Sequence, residues 1–169
     1  SRLAADAIVN AANSSLLGCF IPHHKCIDNV IHSRAGVQLR LDCSRIMGMQ
    51  GEPEPAGCAK ITLGYNLPAK YVIHTVGPMI GVAPSEEDAR ALRGCYVSCL
   101  NLAKEMGLKS IAFCCISTGV FGYPNDEAAE TAVGAVRSWL LETGYDIRVV
   151  FDVFLDKDRA IYADILKNL

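Results

Sequence analysis

The sequence has little net charge and no long apolar run. Its 16 basic and 18 acidic side chains leave a formal net charge of -2, so the charge does not indicate general binding to nucleic acid or to anionic membranes. No stretch approaches the roughly 20 apolar residues that span a bilayer, and no secretory leader pattern opens the chain. We therefore expect a cytoplasmic protein without general nucleic acid binding or membrane association.

Internal repeats and low-complexity segments are absent as well. The chain of 169 residues is 51% hydrophobic and 20% charged, a composition that argues against intrinsic disorder. Its length is that of one domain with a core of its own. We predict a single domain over residues 1–169.

Eight cysteines raise the question of a disulfide framework. A chain of this length can fold without one, and Cys114 and Cys115 lie inside the apolar run "SIAFCCIS", so we interpret most of the thiols as small core hydrophobes. The same interpretation covers Cys43, Cys58, Cys95 and Cys99. Cys19 and Cys26 differ, because a histidine-rich polar loop separates them.

Short apolar runs alternate with helical patterns along the chain, which predicts an α/β sheet with helices on both faces. The predicted strands are "DAIV", "KITL", "YVIHTV", "SIAFCCIS" and "IRVVFDVFL". The predicted helices are one or two over 26–47, interrupted at Gly36, then 85–106 with Ser85 as N-cap and Gly107 as stop, 125–143 with Asn125 as N-cap and Gly144 as stop, and 156–169. The segment 48–60, rich in proline and glycine, predicts a surface loop.

The segment "GCFIPHHKC" places two cysteines and two histidines within residues 19–26. Thiolate and imidazole are the ligands that zinc prefers, and three protein ligands with an open fourth position are typical of a catalytic or substrate-contacting ion. His23 and His24 are adjacent, so both could not easily face one ion, and the spacing does not choose between them. The alternative is that the cysteines belong to the core and the histidines are polar loop groups, and the spacing leaves both interpretations open.

Two further segments could bind a ligand. In "STGVFGYP", residues 117–124, Gly119 and Gly122 would leave backbone amides unshielded for phosphate oxygens beyond a buried strand, although two glycines alone favour an ordinary tight turn. Asn10 and Asn13 follow the first strand, where amides can bind sugar hydroxyls or simply form Asx turns. Asp28 could orient a substrate hydroxyl or water, or interact with a helix dipole.

His32 and His74 are single histidines on apolar elements, and we expect both to be hydrogen-bonded structural groups.

Taken together, "DAIVNAANSSLLG", "CIDNVIHSRAG", "YVIHTVGP" and "ISTGVFGYP" resemble the successive signatures of the macrodomain family, over nearly the whole chain. The resemblance implies a three-layer α/β/α macrodomain sandwich with a mixed central sheet. The family has an earlier strand whose Gly-Asp-Ile aspartate binds the adenine amino group. Because the sequence starts five residues before Asp6, we expect that first strand to be missing and the macrodomain over 1–169 to be N-terminally incomplete.

In place of the glycine run of most hydrolase-type macrodomains, this chain carries "GCFIPHHKC". The segment resembles the zinc-dependent subfamily found in microbial systems linked to sirtuin-type ADP-ribosyltransferases. That subfamily has a cysteine, a histidine five positions on and a cysteine two positions further. The resemblance implies a Zn²⁺ cofactor on Cys19, His24 and Cys26.

The resemblance also implies roles for other positions. Asn13 would contact the distal ribose and Asp28 would lie beside it, both as catalytic residues, while Phe154 would stack on adenine. Gly18 and the backbone of 117–123 would cradle the diphosphate, with Phe121 bordering the distal ribose. The remaining implied substrate-binding residues are Ala12, Ser117, Thr118, Gly119, Val120, Gly122 and Tyr123.

The implied activity is removal of mono-ADP-ribose from protein side chains, with the bond on an acidic residue. The implied partners are ADP-ribose, an ADP-ribosylated protein, for which a lipoyl-carrier protein of the glycine-cleavage type is our expectation, and a sirtuin-type ADP-ribosyltransferase. The alternative is a non-catalytic module that binds ADP-ribose and holds a structural zinc.

Overall fold

The computed structural model describes residues 2–168. Strands and helices alternate along the chain, as predicted. The elements are β1 Ala7–Ala12, α1 Ile27–Ala35, α2 Val37–Gln50, β2 Ala59–Leu63, β3 Tyr71–Val76, α3 Glu86–Glu105, β4 Ser110–Phe113, α4 Asn125–Thr143, β5 Arg148–Phe151 and α5 Asp156–Lys167. The predicted end of the last helix at residue 169 lies outside the described residues.

The strands form one mixed sheet in the order β2-β3-β1-β4-β5. β1 pairs in parallel with β3 and β4, and β4 pairs in parallel with β5, whereas β2 runs antiparallel to β3. The carboxyl ends of β1, β3, β4 and β5 therefore share one edge of the sheet. In open α/β sheets, that edge is where ligands bind.

Helices cover both faces of the sheet and enclose separate cores. The larger core packs α3, α4 and α5 against one face around residues such as Tyr96, Phe113 and Trp139. The smaller core packs α1 and α2 on the other face around Ile31 and Leu39. The predicted three-layer arrangement with a mixed sheet is confirmed. None of the helices within residues 2–168 is long and apolar enough to cross a membrane.

Most helix ends follow the predictions, but the end of α2 and the cap of α4 differ. Ser85 caps α3 in a reciprocal capping box with Asp88, and Gly144, at φ 58°, ends α4 in the left-handed conformation. Asn125 is not the cap of α4, because the cap position is Pro124 and Asn125 is already helical. The Asn125 amide instead donates to Asp158 at 2.6 Å, which ties α4 to α5.

The segment 48–60 is not a plain surface loop. α2 continues to Gln50, and Glu54 is buried at 2% exposure. Its Oε2 pairs with Lys60 at 3.1 Å and accepts a hydrogen bond from the neutral amide of Gln50 at 2.9 Å, so one ion pair and one hydrogen bond offset the cost of its burial. Cys58, predicted to be in the core, is exposed, since it lies in the turn just before β2.

Candidate functional site

Three segments that lack regular structure follow the aligned carboxyl ends of the strands. Residues 13–26 follow β1, residues 114–124 follow β4, and Phe154 lies three residues beyond β5. The sheet therefore brings segments from three distant parts of the sequence to one edge. Nearly all the predicted site residues lie on these segments.

The residues of the first segment include Cys19, His24 and Cys26, which we call the loop group. Their possible ligand atoms all lie within 4.8 Å of one another, and each side chain is partly buried. The Cys19 Sγ lies 3.3 Å from the His24 Nδ1. His23 is exposed with φ 58° and does not join the group. Two sulfur atoms and one nitrogen suit a zinc ion with its fourth position open.

The start of α1 holds the loop group in place. Cys26 is the N-cap of α1, and its Sγ accepts a hydrogen bond from the Asn29 amide at 3.4 Å. The Asn29 side chain donates to the Cys19 carbonyl at 3.2 Å. One residue thus fixes both cysteines of the loop group. The sequence prediction did not single out Asn29, although its place in the first turn of α1 was a usable signal.

Asp28 is buried at 4% exposure in the first turn of α1. Its hydrogen-bond donor is Asn10, whose Nδ2 lies 2.8 Å from the Asp28 Oδ1. Burial raises the pKa of Asp28, partly offset by this hydrogen bond. The sequence prediction named Asn10 only as an amide that could bind a sugar hydroxyl or form a turn, whereas in the structure it is the hydrogen-bond partner of Asp28.

The side chain of Asn13 shapes the loop. Its Oδ1 accepts from the Ser15 amide at 3.0 Å, and its Nδ2 donates to the Gly18 carbonyl at 3.1 Å, which is the Asx-turn alternative noted above. Gly18 has φ 89°, and a Cβ there would come within 2.9 Å of the His32 ring. Glycine at position 18 therefore lets the loop approach α1 closely.

Beneath the loop lies a second set of donors, His32, Cys43 and His74, which we call the buried group. Their possible ligand atoms also lie within 4.8 Å of one another, and all three residues are buried. Burial lowers the pKa of His32 to about 4 and that of His74 to about 3, so both imidazoles are neutral at neutral pH. Burial likewise raises the pKa of Cys43 to about 12, and its thiol stays protonated.

The two buried histidines differ in their hydrogen bonds. His74 is hydrogen-bonded, as predicted, with its Nε2 2.9 Å from the Thr62 Oγ1. The prediction was wrong for His32, because neither ring nitrogen has a hydrogen-bond partner among residues 2–168. Its Nε2 lies 3.5 Å from the Asp28 Oδ1, an oxygen that already accepts from Asn10.

The segment 117–123 forms a tight loop at the carboxyl end of β4. Ser117 and Gly122 have φ of 65° and 72°, and the Tyr123 amide donates to the Ser117 carbonyl at 2.9 Å. Within the described chain, the amides of residues 118–121 donate no hydrogen bond. Such a row of free N–H groups just before α4 can bind a phosphate.

The other predicted substrate-binding residues differ in how much of each side chain is exposed. Phe154 is 93% exposed, and Val120 is 76% exposed, so both side chains are accessible to a ligand. Ala12 and Tyr123 are buried, which leaves their backbone as the part that could face one. The Ser117 hydroxyl is buried without a hydrogen-bond partner among residues 2–168.

Known proteins resemble this chain in sequence and in fold. The chain is 59% identical to the protein-ADP-ribose hydrolase of Staphylococcus aureus (strain MRSA252) over 165 residues, 97% of this chain and 62% of that protein. It thus spans less than two thirds of the length of that relative. The structure matches the Oceanobacillus iheyensis macrodomain with ADP, with a TM-score of 0.90, 38% identity, and 99% of this chain and 85% of that one covered.

A second structural match is the Trypanosoma brucei macrodomain in complex with ADP-ribose. Its TM-score is 0.83 at 39% identity, with 97% of this chain and 64% of that one covered. The Macro domain model matches residues 9–132, which include most of β1, the loop group, the buried group and the loop 117–123. With most of its length matched and its sheet and site segments arranged as described, the chain belongs to the macro domain family.

Proposed function

We propose that this protein removes mono-ADP-ribose from acidic side chains of a modified protein, with a zinc ion held by the loop group. The observation that carries the proposal is the convergence of the Cys19, His24 and Cys26 ligand atoms within 4.8 Å. Cys26 is followed two residues later by Asp28, which accepts a hydrogen bond from Asn10. The staphylococcal relative named protein-ADP-ribose hydrolase supports the same activity.

In this proposal, ADP-ribose lies along the carboxyl edge of the sheet. The free amides of 118–121 bind the diphosphate, and the exposed ring of Phe154 stacks on adenine. Gly18, which lets the loop lie close to the His32 ring, presents its backbone to the same phosphates. These contacts bind the ligand without carrying out chemistry.

The distal ribose then lies beside the loop group and Asp28. A bound Zn²⁺ would supply Lewis acidity toward a ribose oxygen or a water molecule. Asp28 orients the ribose hydroxyl or that water through its carboxylate, and Asn10 holds the carboxylate in place. Asn13 keeps the loop closed over the ribose through its bond to the Gly18 carbonyl. Precise positioning is the main contribution of these side chains.

A structural zinc in an ADP-ribose-binding module is the second candidate. The observation that favours it is the role of Cys26 as N-cap of α1, since a zinc there would link the loop to the helix without touching substrate. In that case ADP-ribose would bind without turnover. Loss of zinc would lower thermal stability rather than a rate.

The deciding experiment measures ADP-ribose release from a protein modified on acidic residues, before and after chelation, with metal content determined on the same samples. We expect chelation to stop release and added Zn²⁺ to restore it. Cys26→Ala should lose zinc and turnover, whereas Cys58→Ala, which removes an exposed cysteine outside the loop group, is the matched control. Full turnover by metal-free Cys26→Ala protein would contradict the zinc mechanism.

The modified protein follows from family resemblance alone. We propose a lipoyl-carrier protein of the glycine-cleavage type, modified by a sirtuin-type ADP-ribosyltransferase. The release assay on this carrier, compared with an unrelated protein modified on acidic residues, tests the choice. Equal rates on both would contradict a dedicated carrier substrate.

A further inference from the structure

Asn10 and His74 face each other across the centre of the sheet. They are register partners in the parallel strands β1 and β3, and both are 0% exposed. The Asn10 Nδ2 lies 3.2 Å from the His74 Nδ1 and 2.8 Å from the Asp28 Oδ1. A single amide nitrogen therefore bridges the imidazole on β3 and the carboxylate on α1.

The hydrogen-bonding groups of Asn10, His74 and Asp28 allow one arrangement of protons. The amide NH₂ of Asn10 has two protons and no acceptor, so the His74 Nδ1 must accept and its proton must sit on Nε2. The Nε2 proton then points to the Thr62 Oγ1, 2.9 Å away. Two acceptors on one NH₂ fix the rotation of the amide, because a flipped amide would turn its oxygen toward both of them.

The Asn10 Oδ1 takes no part in this bridge. It is buried without a hydrogen-bond partner among the described residues, so the amide is held through its nitrogen alone. Asp28 lies on α1, directly after the loop group, whereas His74 is fixed by the pairing of β3 with both β1 and β2. Of the three hydrogen-bonded residues Asp28, Asn10 and His74, the most rigidly held is therefore His74.

We propose that His74 is a positioning residue, whose Nδ1 holds the Asn10 amide in the one orientation that places the Asp28 carboxylate at the ribose. The role rests on the proposed function, because Asp28 acts on the ribose only there. His74 itself is fully buried and touches no ligand. It acts from the sheet through Asn10.

Two substitutions separate the two ring nitrogens. His74→Asn keeps an acceptor near the Nδ1 position, and His74→Gln keeps a polar group near the Nε2 position while removing the acceptor that faces Asn10. We expect His74→Asn to retain a kcat at least about tenfold above that of His74→Gln, with similar KM in both, because the lost interaction positions reacting groups rather than binding substrate. A purely structural His74 predicts the reverse order or no difference, since glutamine fills the site better.

Val72→Ala is the control for lost packing. Val72 is buried two residues before His74 on the same strand, and its side chain packs in the core beneath α1 and α2. We expect it to lower the unfolding temperature while kcat stays near that of the parent protein. A loss of kcat in Val72→Ala as large as that in His74→Gln would overturn the positioning role.

Nuclear magnetic resonance of the side-chain nitrogens tests the arrangement without any activity. We expect His74 to show a proton on Nε2 and an unprotonated Nδ1, and the Asn10 NH₂ signals to shift more in His74→Gln than in His74→Asn. A proton on Nδ1 would overturn the inference. The parent protein could show this arrangement but release no ADP-ribose. In that case the hydrogen bonds among Asp28, Asn10 and His74 are confirmed, whereas the proposed function, and with it the positioning role of His74, is contradicted.

Discussion

The loop group and the buried group consist of the same donor types in opposite surroundings. The loop group lies within one short segment, is partly buried, and its Cys19 and His24 contact each other. The buried group comes from α1, α2 and β3, and His74 already has hydrogen-bond partners at both ring nitrogens. Convergence of ligand atoms is therefore not enough for a metal site. Partial exposure of all three donors distinguishes the loop group.

The first way to break this comparison is to remove one cysteine from each group. Cys26→Ala should reduce zinc content to background and lower ADP-ribose release by at least about 100-fold, because it removes a ligand. Cys43→Ala should retain zinc, since its thiol remains protonated and buried. Metal analysis by mass spectrometry and the release assay measure both. Zinc lost from Cys43→Ala but kept in Cys26→Ala would reverse our assignment.

Acid should destabilise the protein through the buried group. The folded-state pKa values of His32 and His74 are about 4 and about 3, below the ordinary value of 6.5. Between those values and pH 6.5 the unfolded chain binds more protons, so the free energy of unfolding falls as the pH drops. The fall approaches about 1.4 kcal/mol per pH unit for each imidazole.

Urea titrations at pH 7, 6, 5 and 4.5 measure this slope. In His74→Asn one imidazole is gone, and the slope should be roughly halved. An unfolding free energy that stays flat from pH 6.5 to 4.5 would contradict neutral, buried histidines.

Thr62→Val tests the hydrogen bond at the His74 Nε2, the ring nitrogen that does not face Asn10. The substitution leaves the volume nearly unchanged but removes the nearer partner of a buried Nε2, at 2.9 Å, and leaves only the Cys43 Sγ at 3.7 Å. We expect a loss of about 1–3 kcal/mol in the free energy of unfolding, because a sulfur atom at this distance is a weak acceptor for a buried donor. Zinc content should not change. Urea denaturation checks the first expectation, and a stability equal to that of the parent protein would show that Thr62 is not the partner.

The smallest expected effect concerns Asp6, which lies in neither group. Its carboxylate accepts from Lys70 at 2.7 Å and from the Lys109 amide at 2.9 Å, and these bonds, led by the one from Lys70, lower its pKa from 3.8 to about 2. Its stabilising contribution is complete above pH 3.8 and is lost as the pH falls toward 2. Asp6→Asn should therefore cost about 1 kcal/mol at pH 7, since Lys70 is solvent-exposed.

This acid window is separate from that of the buried group. Over pH 7 to 4.5, Asp6→Asn should lower the unfolding curve by a constant amount without changing its slope. A changed slope there would mean that Asp6 is coupled to the histidines.

The cysteines and histidines of residues 19–26 stood out in the sequence because they are neighbours in the chain, but only the family resemblance chose His24 over His23. The predicted strands and helices were also recovered in their order, since their apolar periods are local properties. β4 and β5 end sooner than the apolar runs "SIAFCCIS" and "IRVVFDVFL" predicted. Asn125 was mistaken for a cap because its actual partner, Asp158, lies on another helix. Glu54 was placed in a surface loop because the composition of a segment does not reveal that the Glu54 amide donates to the Ser14 carbonyl in the loop after β1.

The sequence alone determined the order of the elements, the four macrodomain segments and the position of the loop group. Only the tertiary structure decided that Asp28 pairs with Asn10 and that Asn10 meets His74, 64 residues further along the chain. It also decided that Cys43 joins two buried histidines. The reason is physical: local sequence sets periodicity and turns, whereas the register of β1 with β3 and the packing of α1 on the sheet are set by long-range burial.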